Sequence, residues 1–124
     1  MSERYYTQSH EWIAPADGKA GISQYAQEHL GDIVFVEITA VGKEVKRGDT
    51  VGVVESVKAT SDIYAPADGK VLEVNPALGS QPELVNKEPY AGGWLFKMAV
   101  AQPFVPGPLM DEAAYQAYLK TIAE

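Results

Sequence analysis

The stretch Thr50 to Asp62, TVGVVESVKATSD, constrains the fold of this chain more than any other: two short β-branched runs meet at a polar turn. β-Branched residues suit the pleated surface of a sheet, and a polar break between two such runs reads as a hairpin. Lys58 stands at its centre, pushed outward on a stiff tip, with Glu55 before it and Asp62 after it. A chain holding this hairpin and several runs like it is expected to be mainly β.

Those other runs can be read in order. Tyr5, Tyr6, Trp12 and Ile13 predict an opening strand, Pro15 to Gly18 a tight turn, and Ala20 to Ile22 a second strand. Ser23 is placed to cap a helix over Gln24 to Leu30, which Gly31 can end. Ala26 and Leu30 would share its buried face. Ile33 to Ile38 predicts a central strand, and Val41 to Asp49 an exposed connection. Ile63 to Ala65 leads from the hairpin to a turn at Pro66 to Gly69 and a strand over Lys70 to Val74. The turn-plus-valine patterns ending at Val53 and Val74 resemble each other loosely, which hints at a quasi-symmetric sandwich with the Lys58 turn between its halves. Asn75-Pro76 starts a turn or short helix, Ser80 to Glu83 has the spacing of a capping box, and Leu84 and Val85 can pack inward. Pro89 to Gly93 forms a bend before a late strand over Trp94 to Val100. Pro103, Pro106 and Pro108 forbid regular structure. From Asp111 a terminal helix is expected, with Tyr115, Tyr118, Leu119 and Ile122 facing the β core.

A chain of 124 residues can bury a core of its own, and one domain is expected. The formal charge is -7, which argues against general affinity for nucleic acid or an anionic membrane. There is no cysteine, so thiol nucleophiles and thiolate metal sites are excluded, and any redox sulfur must arrive on an attached group. No P-loop, GxGxxG, HExxH, EF-hand or GxSxG pattern occurs. His10 and His29 are the only histidines, and no metal site is expected. MSERYYTQSHEW lacks both the apolar run of a signal peptide and the basic character of a presequence. A cytoplasmic protein is expected, and a processed mitochondrial form also fits.

What chemistry remains points to Lys58. Read from the residues alone, it is an ordinary solvated lysine or a modification site. A hairpin tip suits the second role, because the turn holds the root while the methylenes supply reach. Acylation would remove the charge and lengthen the arm.

Several segments together carry a wider resemblance. Ser9-His10-Glu11-Trp12, Gly21-Ile22-Ser23, Ala26 to Asp32, Val34 to Glu37, Val54 to Ala59, Pro82 to Asn86, Pro89-Tyr90 and Gly93-Trp94 stand here in the order and spacing of the glycine cleavage system H proteins. The chain resembles that family from about Tyr6 to Leu119. The motif around Lys58 alone would support only the wider lipoyl and biotinyl carrier superfamily. A biotin carrier is disfavoured because Val57 and Ala59 stand where methionines commonly flank the modified lysine. The resemblance departs at Glu37 to Gly42, which lacks a usual Leu-Pro pair, and at Gln24 and Tyr25.

This resemblance implies a barrel-sandwich hybrid, a lipoyl-domain-like β sandwich, with short added helices and a C-terminal helix. It implies a single lipoyl-carrier domain over 1–124, with a proline-rich connection at 103–110 and a C-terminal helix at 111–123. It implies a noncatalytic carrier with lipoic acid amide-linked to Lys58, and Glu55, Ser56, Val57 and Ala59 read by the lipoylating enzymes. Glycine decarboxylase (the P protein) would load an aminomethyl group. Aminomethyltransferase (the T protein) would unload it, and dihydrolipoyl dehydrogenase (the L protein) would reoxidise the arm. Ser9, Glu11, His29 and Asp62 would line a cleft where the loaded arm rests. Read as residues alone, His29 is also a helix-surface histidine and Asp62 a solvated or turn-capping carboxylate. Glu37 would join Glu55 as a recognition charge or serve as plain solubilising charge, while Trp12 and Trp94 are assigned to packing. A related reading is a relay protein that passes lipoate to other complexes.

Overall fold

A computed structural model describes residues 4–102 and 109–122. The strands are β1 (Tyr5–Tyr6), β2 (Glu11–Ala14), β3 (Lys19–Ile22), β4 (Ile33–Ile38), β5 (Glu44–Val45), β6 (Thr50–Ser56), β7 (Thr60–Tyr64), β8 (Gly69–Val74) and β9 (Phe96–Val100). The helices are α1 (Gln24–Leu30), α2 (Leu84–Lys87) and α3 (Glu112–Ile122), with a 3-10 turn at Pro76–Gly79. A six-stranded sheet in the order β1-β2-β3-β9-β8-β5 faces a three-stranded sheet β4-β6-β7. This is the lipoyl-domain-like β sandwich with short helices that the resemblance implied.

The core lies between the sheets, and side-chain alternation decides what enters it. On the small sheet Val54 and Ile63 turn inward with Ile33 and Ile38, meeting Ala20, Val71, Phe96 and Met98 from the large one. The outward positions of the small sheet pair Phe35 with Glu55 and Thr60, and Glu37 with Val53 and Asp62. That face therefore carries three carboxylates around Phe35, which is 46% exposed.

Several sequence expectations change here. The opening segment is two strands: β1 pairs with β2 as a hairpin, Tyr5 opposite Ile13, and residues 7 to 10 form the turn. The expected connection over Val41 to Asp49 contains β5, which pairs with β8 through Glu44 and Lys70. No capping box forms at Ser80. That residue closes the 3-10 turn, and Glu83 makes no side-chain cap. The last long strand begins at Phe96; Trp94 precedes it, and Leu95 joins the sheet by donating to the Ala20 carbonyl and accepting from the Asn75 N–H.

The C-terminal helix starts as expected, with Asp111 accepting from the Ala114 N–H at 2.9 Å. Its packing is different. Tyr115 does not enter the sandwich but stacks on Tyr6, ring centroids 4.2 Å apart, in a second apolar cluster with Trp12 and Ala14. Tyr118, Leu119 and the half-buried Trp94 pack at its margin. Of the expected proline-rich connection, 103–108 lies outside the described residues, while Met110 bridges to Tyr6.

Candidate functional site: a hairpin lysine beside a carboxylate-lined cleft

The tip between β6 and β7 is a tight turn held by one side chain. The Ser56 N–H donates to the Ala59 carbonyl at 2.8 Å. The Ser56 hydroxyl accepts from the N–H groups of Lys58 and Ala59 at 3.1 and 3.0 Å, and in turn reaches the Ala59 carbonyl. Val57, 66% exposed, and Lys58 stand outward. Glu55 stands on the outer face opposite Thr60.

A second support comes from the junction of α1 and β4. The Val57 N–H donates to the Asp32 carbonyl at 3.0 Å. Asn86 holds that junction: its Oδ1 accepts from the Ile33 N–H, and its Nδ2 donates to the Gly31 carbonyl and Gln27 Oε1. Ala26 and Leu30 pack half-buried against the core as expected, while Gln27 is the fully buried residue of α1, with Asn86 as its hydrogen-bond partner. Sequence reading quoted Asn86 within a motif but assigned it no task.

Gly31 has φ +82 and ψ -160, a region essentially closed to other residues. A Cβ there would also come 3.1 Å from Lys58 Cε. The bare glycine lets the lysine stem lie against the C-terminal end of α1.

From Leu30 back along α1 runs a cleft of about 210 Å³ between α1, β2 and β7. Ser9, Glu11, His29 and Asp62 all line it, so the structure brings together the four residues named from the sequence. Ile22, Ala26, Leu30 and Ile63 supply its apolar walls. Such a cleft suits an apolar arm with a polar end.

Glu11 is the polar centre. It is only 2% exposed, although it is a carboxylate. Thr7 Oγ1 donates to it at 2.6 Å, Ser9 Oγ donates to the same oxygen, and the Tyr64 N–H reaches the other at 3.2 Å. Burial raises its pKa, and those donors only partly oppose the rise. A buried carboxylate held by neutral donors is an attractive site for a small cation, above all a protonated amine.

His29 is exposed, its Nδ1 bonding to the Tyr25 carbonyl at 3.0 Å. Tyr25 stacks on it with ring centroids 4.1 Å apart and also lies 4.6 Å from the His10 ring. Sequence reading missed Tyr25 and His10 as cleft residues. The four-residue spacing of Tyr25 and His29 on one helix was the available signal for the first. Nothing local signals His10, whose φ of +75 comes from the turn after β1. Trp12 lies over Gly21 with its indole N–H on the carbonyls of Ile22 and Pro89, a packing role.

A small β sandwich that presents a lysine on a hairpin tip beside an arm-sized cleft has the architecture of a lipoyl-type carrier domain. The family model described as "Glycine cleavage H-protein" matches residues 4–122. A glycine cleavage system H protein of Deinococcus radiodurans is 55% identical over 116 residues, covering 94% of this chain and 93% of that protein. One of Thermotoga maritima is 48% identical over 120 residues, covering 95% and 97%. The crystal structure of a glycine cleavage system H protein from Mycobacterium marinum superposes with a TM-score of 0.83 at 38% identity, over 97% of this chain and 98% of that one. The chain belongs to the glycine cleavage H-protein family. The family's members are noncatalytic carriers that bear lipoic acid on a lysine and work with the P, T and L proteins and with lipoylating enzymes.

Proposed function

We propose that Lys58 is the lipoylated lysine of this carrier and that the cleft beside it shelters the loaded arm. The chain serves glycine cleavage as a shuttle: cargo is taken up at glycine decarboxylase and delivered to aminomethyltransferase. Dihydrolipoyl dehydrogenase then restores the disulfide. Lipoate supplies the sulfur chemistry that a cysteine-free chain lacks. The protein's own residues root, orient and shield.

The single observation that carries the reading is the juxtaposition at the tip. An exposed amine on a turn pinned by Ser56 and Asp32 has its stem over Gly31, and the residue before that glycine, Leu30, lines the cleft that contains Glu11. The site fits the group in size and chemistry. Ala26, Leu30 and Ile63 match an apolar arm, and Glu11 with Ser9 and Asp62 match an ammonium at its end. Burial around Glu11 would keep water from the cargo. Glu55, Ser56, Val57 and Ala59 surround the lysine that a lipoylating enzyme must read, and a cytoplasmic location belongs to the same proposal.

Intact-mass measurement after incubation with lipoate, ATP and a lipoylating enzyme should show one adduct, mapped by peptide analysis to Lys58. Lys58→Arg should keep the fold by circular dichroism and gain no mass, because guanidinium is not acylated under these conditions. An adduct on another lysine would overturn the assignment. Reconstitution with the P, T and L proteins should give glycine-dependent NADH formation; lipoate transfer to other proteins without that turnover would instead mark a relay.

A further inference from the structure

His10 enters the cleft from the turn between β1 and β2, and its ring is held from behind by the C-terminal helix. Its Nδ1 lies 2.8 Å from the Tyr115 hydroxyl, which lies 2.6 Å from Ser23 Oγ. The three groups share few protons, and counting them fixes the direction of each bond. Ser23 is fully buried and its oxygen already accepts from the Ala26 N–H. Its own hydroxyl proton therefore needs an acceptor, and among the described residues only the Tyr115 oxygen lies within reach. Tyr115 then donates onward to His10 Nδ1. The reverse order, with Nδ1–H donating to Tyr115, would leave the proton of either Ser23 or Tyr115 unsatisfied.

We infer that Tyr115 is a positioning residue of the cleft: through a one-way relay from Ser23 it holds His10 as the neutral ring with its proton on Nε2. A helix packed on the outer face of the large sheet thereby sets the charge of a cleft wall. Two independent influences agree with this. Burial, then the nearby His29, lowers the His10 pKa, and burial raises that of Tyr115 so that it keeps its proton. Protonating His10 at Nδ1 would take away the acceptor of the Tyr115 proton or reverse the relay.

The groups facing His10 show why its charge matters. Tyr25 and His29 face it from α1, Tyr115 and Tyr118 from α3, Glu11 follows it on β2, and Asp62 lies across the cleft on β7. A cationic His10 would repel an ammonium cargo held in the same cleft. A neutral one leaves the carboxylate to the cargo. This consequence rests on the carrier reading above; the proton count does not.

The test has two arms. Nitrogen-15 NMR of the unlipoylated full-length protein should show His10 as the Nε2–H tautomer at neutral pH, titrating below the ordinary histidine value. In Tyr115→Phe the lost donor should raise the titration midpoint and mix the tautomers, because a bond that stabilises the neutral ring disfavours the cation. An Nδ1–H tautomer in the wild type would overturn the inference, and that spectrum needs no variant to fold. In the second arm, cargo-loaded protein loses its cargo when water cleaves the sulfur–carbon bond, leaving thiol, formaldehyde and ammonium. Tyr115→Phe should lose it severalfold faster than the wild type at about pH 6, with equal rates at about pH 8. Equal rates at both, with the midpoint raised, would refute the role of His10 in the cleft. Failure to load at Lys58 would refute the carrier reading while the NMR arm stands.

Discussion

At the scale of single residues, the site depends on groups whose ordinary behaviour is altered by burial. Glu11 is the clearest. Its folded pKa is raised above its unfolded value, so its contribution to stability is full at pH below the unfolded value and is lost as pH rises through the folded one. Urea denaturation of the wild type against a Glu11→Gln control should therefore show the wild type relatively more stable at about pH 4 than at about pH 7. A difference that stays constant or grows over that range would contradict the assignment. The protein keeps a carboxylate that burial penalises, consistent with a site built for a cation rather than for stability. Lys58 is the opposite case: exposed, and important for its position.

At the scale of elements, the tip is a built object. Ser56→Ala should remove the acceptor for two backbone N–H groups and cost about 1 kcal/mol in denaturant unfolding. It should also slow acylation of Lys58 by loosening the turn, read as adduct formation over time. Gly31→Ala should cost more, about 1–3 kcal/mol, since alanine cannot adopt φ +82 with ψ -160 without strain. The new methyl would also press on the lysine stem, so the same time course should reveal slower acylation. The tip could be read from the sequence because a hairpin is local: β-branched runs and a polar turn suffice to define it. Asn86 could not be read in the same way, since its three partners lie more than fifty residues away.

At the scale of the whole molecule, two apolar clusters hold different parts of the site. The sandwich core carries β6 and β7 and hence Lys58, while the smaller cluster of Tyr6, Trp12, Ala14 and Tyr115 carries α3 and the back of His10. The smaller cluster buries less and should open first. Amide hydrogen exchange should show α3 and β1 losing protection before β6, β8 and β9, with a free energy below that of global unfolding. Simultaneous exchange of all these elements would show a single cooperative unit instead. The satellite position of α3 escaped the sequence reading because Tyr115, Tyr118 and Leu119 make the same apolar stripe whichever β surface receives them.

The sequence by itself determined the β-rich architecture, the α1 helix with its Ser23 and Gly31 ends, and the outward lysine, because each follows from local propensity, turn chemistry or an ordered set of motifs. The tertiary structure decided the rest. It divided the opening segment into two strands, turned an apparent loop into β5 and dissolved the capping box at Ser80. It also laid α3 on the outer sheet face. All of these depend on partners distant in the chain, and so does the cleft: Glu11, His29 and Asp62 come from three elements. Only folding takes the Glu11 carboxylate out of water in a cleft that α1 shares with the stem of Lys58.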